Sequence, residues 1–305
     1  EEMDIYNQTA ITEFILIGLS DLPEVRYPLF VVFAAIYQVT LVGNGAILLA
    51  IGTERKLHTP MYYFLANMYL LDIFCPSTTV PKMLKNLLTE NKSISFVGCA
   101  LELYFLGALV GTEVFLLAVM AYDQYVAICF PLRYTVFTTK GCCVQLMVGT
   151  WAAGFLNSLL HTVFTFHLFF CKSKQVNQYY CDIPPLVALS CSSTYVAEML
   201  LFVVNAFLIT GISYIYIICT ILKIRSAEGK RRAFSTCASH LLVVCLLYGT
   251  GIFTYIHPSF GHHSPLISVL YGVITPLLNP IIYSLRNKEI KGALKKVLCH
   301  KICLQ

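Results

Sequence analysis

From Ala233 to Leu285 the chain carries no formal charge. As one helix this stretch would reach about 80 Å, far more than the hydrocarbon core of a bilayer is thick. The polar break Pro258-Ser259-Phe260-Gly261-His262-His263-Ser264-Pro265 divides it into two spans. Pro28 to Thr53 is also charge-free, as are Gly141 to Phe170 and Met199 to Leu222. Met61 to Pro81 holds Asp72 alone, and Gly98 to Tyr122 holds Glu102 and Glu113. Each run is long enough to supply the roughly 20 apolar residues that a helix needs to cross a membrane.

Composition agrees. The 305 residues are 57% hydrophobic and 12% charged, whereas soluble domains carry about 25% charged residues. Such a chain cannot cover a water-facing surface, so lipid must be its main solvent. In lipid every backbone N–H and C=O needs an internal partner, which leaves helices and closed barrels. Barrel strands would alternate apolar and polar residues, and these runs do not. The expected fold is all-α: a seven-transmembrane helix bundle over residues 28–286. An N-terminal tail, 1–27, precedes it, and a tail with a short amphipathic helix, 287–305, follows.

Orientation follows from the positive-inside rule. With the N-terminus outside, all of the 21 Lys and Arg residues fall on the cytoplasmic side except Arg26, Lys82, Lys85, Lys92, Lys172 and Lys174. The N-terminal tail is acidic, with Glu1, Glu2, Asp4, Glu13, Asp21 and Glu24. It shows no apolar core behind a basic start, so no cleavable signal is expected and the first span directs insertion. The chain is therefore placed in the plasma membrane, N-terminus extracellular and C-terminus cytoplasmic. The net charge of +5 reflects this topology and implies no nucleic acid. After the last span, Ile290, Leu294 and Leu298 recur at helical spacing among Lys288, Lys291, Lys295 and Lys296. This is the pattern of a helix lying on an anionic leaflet. Cys299 and Cys303 beyond it are either palmitoylation sites or free thiols.

Four of the 13 cysteines fall on the outer side: Cys99, Cys171, Cys181 and Cys191. An even set in an oxidising compartment implies two disulfides, and the sequence alone permits three pairings. A bond from Cys99, at the top of the third span, into the loop between spans four and five would pin a lid over the bundle. Asn7-Gln8-Thr9 is an N-glycosylation sequon on the tail. A second, Asn91-Lys92-Ser93, sits close to the membrane and is expected to stay unmodified.

Several segments resemble the vertebrate olfactory receptors, a branch of the rhodopsin-like G-protein-coupled receptors. Met120-Ala121-Tyr122-Asp123-Gln124-Tyr125-Val126-Ala127-Ile128-Cys129 is similar to their MAYDRYVAIC stretch. Leu57-His58-Thr59-Pro60-Met61-Tyr62 resembles LHTPMY, and Ser213-Tyr214 their SY pair. Arg232 to His240 resembles KAFSTCxSH, and Pro276 to Asn287 resembles PxLNPxIYSLRN. The short loop between spans six and seven looks like that of the class II branch. The resemblance implies disulfides Cys99–Cys181 and Cys171–Cys191. It also implies a receptor for small volatile organic ligands that raises cyclic AMP through a stimulatory G protein. The family's Arg after Asp123 is here Gln124, which cannot form the ion pair, so Asp123 is expected to lose its partner.

Against that background the residues take roles. Asp72 and Glu113 are carboxylates at mid-membrane, where charge is expensive and usually functional. With Asn279 they form a candidate sodium site; the alternative is protonated acids that hydrogen-bond helices together. Pro280, with Asn279 and Tyr283, makes a candidate hinge. Asp123, Gln124, Tyr125, Tyr214 and His240 are assigned to coupling at the cytoplasmic end. The resemblance places ligand contacts at Leu103, Leu106, Gly107, Val110 and Gly111 in span three, the glycines leaving room. It adds Glu198, Met199, Phe202 and Val203 in span five, Tyr248, Gly251, Ile252 and Tyr255 in span six, and Val269 and Gly272 in span seven. The histidines His161, His167, His257, His262 and His263 match no metal motif, and no catalytic group is expected. The alternatives are a non-olfactory rhodopsin-like receptor, or a transporter or channel, which the lack of repeat symmetry disfavours.

Overall fold

The computed structural model describes residues 12–19, 23–171, 173–191, 211–212, 214–223, 226–256, 268–284 and 287–302. Helix α1 spans Pro23–Thr53, α2 Pro60–Leu88, α3 Phe96–Cys129, α4 Tyr134–Phe137, α5 Lys140–Phe166 and α6 Ile183–Ala188. A further helix, α7, covers Tyr214–Lys223. Helix α8 spans Ala227–Ile256, a π-helical turn Leu270–Ile274 leads into α9, Thr275–Ser284, and α10 is Lys288–Ile302. Among the described residues, three helices are long and apolar enough to cross a membrane: Glu24–Thr53, Phe96–Cys129 and Lys140–Phe166.

Local chemistry sets the helix starts. Pro60 opens α2, where its missing N–H costs nothing. Ser95 caps α3 by accepting from the Gly98 N–H at 3.1 Å, and Thr139 caps α5 by accepting from Cys142 at 3.3 Å. Helix α1 starts before the charge-free run that marks it, with Pro28 inside the helix and Glu24 in its first turn.

Burial is inverted relative to a soluble protein. Large apolar side chains face outward on the long helices, among them Val42, Val148, Leu156 and Leu160. Asn44, Thr112, Asp72, Glu113, His240 and Asn279 are buried among helices. Lipid makes the outward apolar belt neutral and the inward polar groups necessary.

Helices α3 and α5 approach most intimately, because small residues face each other. A Cβ on Gly111 would meet the Gly154 Cα at 3.4 Å, and one on Gly107 would meet the Ser158 Oγ at 2.7 Å. Gly107-xxx-Gly111 on one helix thus meets Gly154-xxx-Ser158 on the other, the small-residue packing that helices use in lipid. Ser158 Oγ also donates to the Tyr104 carbonyl at 2.6 Å. The expectation that Gly107 and Gly111 leave room for a ligand is corrected here: the room is filled by α5.

The bundle carries a small sheet that the all-α expectation lacked. Its strands are β1 (Glu13–Leu16), β2 (Ser93–Ser95) and β3 (Gln175–Val176), in the order β2-β1-β3. The tail strand β1 is central, antiparallel to β2 and parallel to β3. Phe14 and Leu16 are fully buried against Ile94, Cys99, Leu103, Val176, Cys181 and Leu186. Part of the tail is therefore built into the lid.

Candidate functional site

Two disulfides shape the lid. Cys99 is bonded to Cys181, with Cα atoms 5.5 Å apart, and Cys171 to Cys191, 6.0 Å apart. The first anchors the long loop to the start of α3. The residues just before Cys181 are thereby carried into the bundle. Gln178 and Tyr179 are almost completely buried, and Gln178 Nε2 donates to Ser268 Oγ at 2.7 Å. Asp182 accepts from the Ile183 N–H at 2.8 Å and from the Tyr180 hydroxyl at 3.2 Å. Burial raises the Asp182 carboxyl above the usual range, and these two bonds oppose the rise.

Below the loop lies a cavity of about 20 Å³, room for one water-sized particle. Asp72, Thr79, Leu106, Glu113, Tyr179 and Gly272 are among its walls. The Tyr179 hydroxyl is buried without a hydrogen-bond partner, and a Cβ on Gly272 would meet it at 3.3 Å. Gly272 belongs to the π-helical turn, an irregularity common at functional sites.

Asn279 Nδ2 donates to Asp72 Oδ1 at 2.8 Å. Asp72 Oδ2 and Asn279 Oδ1 are buried and have no hydrogen-bond partner. Two acceptor oxygens, with the Glu113 carboxylate on the same cavity, fit a small hard cation that takes oxygen ligands. Pro280 has no N–H for the carbonyl of residue 276, four positions earlier. Asn44 Nδ2 fills that place, donating to the Pro276 oxygen at 3.2 Å and to the Thr40 oxygen at 2.9 Å. The proline irregularity of α9 is thus tied to α1 by a side chain that sequence reasoning missed.

At the end of α3 remote from the disulfides, Asp123 accepts from the Tyr134 hydroxyl at 2.9 Å. The expectation that Asp123 is left without a partner is corrected: a tyrosine from the following short helix supplies one. Gln124 Oε1 is buried with no hydrogen-bond partner. Tyr125 meets Tyr216 of α7 edge-on, with ring centroids 6.2 Å apart. Tyr214 and His240 are hydrogen-bonded, joining α7 to α8. Helix α10 is docked by Tyr62, whose hydroxyl donates to Glu289 at 2.7 Å and accepts from Asn287 at 2.7 Å. Ile290 and Ala293 are buried beneath it.

The other expected contacts fall in several places. Leu103 packs under the lid with Cys99 and Cys181. Val269 packs with Tyr179, Tyr180 and Val273. Val110 is half-buried on α3. Tyr248, Gly251, Ile252 and Tyr255 lie on α8 and Tyr283 on α9, where only the backbone is described. Asn7, Glu198, Met199, Phe202, Val203, His257, His262, His263 and Cys303 lie outside the described residues.

A family model described as "Olfactory receptor" matches residues 33–301. The chain belongs to the olfactory receptor family. It is a rhodopsin-like, odorant-sensing receptor and a multi-pass membrane protein, not an enzyme. Human olfactory receptor 5B12 is 48% identical over 301 residues, covering 96% of both chains. Mouse olfactory receptor 8U9 is 48% identical over 304 residues, covering 97% of both. Mouse olfactory receptor 5AP2 is 48% identical over 301 residues, covering 96% of this receptor and 95% of its own length. Tyr179, Gln178, Asn44 and Tyr134 were missed in the sequence because each acts through a partner distant along the chain. The one signal for Tyr179 and Gln178 was their place beside Cys181.

Proposed function

We propose that the receptor spans the plasma membrane seven times with its N-terminus outside and binds small volatile organic ligands beneath the long loop. The observation that carries this reading is the family match over residues 33–301; the cavity under Tyr179, walled by Leu106 of α3 and Gly272 of the π-helical turn, holds one water-sized particle in the resting bundle, and an odorant must widen it. Residues 287–305 form the cytoplasmic tail, with α10 on the inner leaflet.

Signalling is a shift of population. The ligand binds the active arrangement better, span six moves outward, and the cytoplasmic end admits a stimulatory G protein. Tyr214–His240 and Asp123–Tyr134 hold the resting arrangement, and Lys230-Arg231-Arg232 rim the opening. Gln124, whose oxygen has no partner, replaces the cation that the family places there. In cells carrying the G protein, an odorant panel is expected to raise cyclic AMP. Gln124→Arg is expected to enlarge the response about tenfold, the worth of one charge-assisted contact. A Gln124→Arg receptor at the surface that answers an odorant no more strongly than the wild type would overturn this role of position 124.

Asp72, Glu113 and Asn279 are proposed to hold sodium in the resting bundle, where the ion would supply the positive charge that the acids lack. Sodium should then weaken agonist potency in the wild type and leave Asp72→Asn indifferent. Equal sodium dependence in both would remove the ion from the mechanism.

A further inference from the structure

A second concavity lies at the disulfide end, on the outer flank of α2 and α3. Its volume is about 520 Å³, and its walls include Thr78, Lys82, Ser95, Leu101, Glu102 and Phe105. Lys82 lies six residues before the end of α2 at Leu88, and Glu102 six residues after the start of α3 at Phe96. The helices are joined by the seven residues that carry β2 and run in opposite directions. At 1.5 Å per residue both charges therefore sit about 9 Å inside the helix ends, at one depth. They are near enough to feel each other's field. Glu102 Oε2 accepts from the Cys181 N–H at 3.4 Å, while Oε1 is buried with no hydrogen-bond partner.

Polarity changes along the groove in one direction. The charged pair and the Ser95 hydroxyl occupy the end nearest the lid, and the Thr78 hydroxyl, one turn below Lys82, is turned to its own helix, donating to the Cys75 carbonyl at 2.7 Å. One turn below Glu102 on α3, Phe105 is 47% exposed, and Leu101 beside Glu102 is 52% exposed; about two turns below Lys82 on α2, past the groove's own lining, Phe74 is 45% exposed. A cation and an anion at one depth, above an exposed apolar floor, match a zwitterionic headgroup above an acyl chain. We propose that this groove binds one phospholipid with an ethanolamine-type headgroup. Its phosphate accepts from Lys82, its ammonium donates to Glu102, and a chain lies along Leu101, Phe105 and Phe74. The bound lipid would tie α2 to α3 beside the Cys99–Cys181 anchor.

The test is native mass spectrometry of the full-length receptor in detergent, titrated with phosphatidylethanolamine or phosphatidylglycerol. Wild type should retain one phosphatidylethanolamine and release phosphatidylglycerol, which has no ammonium for Glu102. Lys82→Met and Glu102→Gln should each weaken retention about tenfold, as expected for one charge-assisted hydrogen bond. Leu101→Trp, which alters a lipid-exposed side chain and fills the floor, should abolish retention without touching the charges. Equal retention of the two lipids by the wild type would overturn the proposal even if the variants failed to fold. So would unchanged retention in the folded variants. Displacement by soluble phosphoethanolamine at matched concentration would make the site one for a free zwitterion and overturn the lipid reading.

Discussion

Gly154→Ala is expected to lower the melting temperature of the purified receptor by about 5 °C, and Gly154→Leu to prevent folding, because overpacking costs about 1–3 kcal/mol per step. A Cβ at Gly154 would lie 2.7 Å from the Thr112 backbone nitrogen and 2.8 Å from the Ala108 carbonyl oxygen. Neither is the free end of a flexible side chain, so α3 and α5 must part. In lipid no hydrophobic force pulls them back, since acyl chains solvate apolar faces as well as a neighbouring helix does. What is lost is close packing, together with the Ser158–Tyr104 hydrogen bond at 2.6 Å. Gly149 on the same helix has open space around its Cβ position, so Gly149→Ala is the matched control and should be neutral. Thermal unfolding in detergent, read by intrinsic fluorescence, compares them. Equal melting temperatures for the two alanine variants would mean that the α3–α5 contact does not limit stability.

Cys99→Ser is expected to remove most receptor from the cell surface and to silence what remains. The bond from Cys99 to Cys181 closes a separation of 82 residues, against 20 for Cys171 to Cys191. Loop-closure entropy assigns about 4.5 kcal/mol to the first and about 3 kcal/mol to the second. The first bond also has a local consequence. It holds Gln178 and Tyr179 at their depth and carries the N–H that Glu102 accepts. Surface immunolabelling of both serine variants should show the larger loss for Cys99. An equal loss, or a greater one for Cys171→Ser, would place the weight of the lid on the shorter loop.

The apolar runs located α1 to α3 and α5 because a helix in lipid has only its own length and polarity to satisfy. Helix boundaries shifted where a charge is tolerated in a first turn, as Glu24 is in α1. Asp72, Glu113 and Asn279 stood out because polar groups in lipid must have a reason, and the structure puts them around one spot. Gly107 and Gly111 were misread because a glycine makes room without saying for what. Asp123 was expected to be unpartnered because its new partner, Tyr134, belongs to a short helix with no signal of its own.

The sequence by itself determined a chain that must live in lipid, as helices, with acids at mid-depth and cysteines at one end. These follow from desolvation, which acts on each segment separately and depends only on what that segment contains. Only the tertiary structure decided that Tyr179 descends toward Asp72 and Glu113, that Asn44 covers the Pro276 carbonyl, and that the strand Glu13–Leu16 is part of the lid. Those are pairings between groups far apart in the chain, chosen by packing and hydrogen-bond geometry, and no local pattern encodes them.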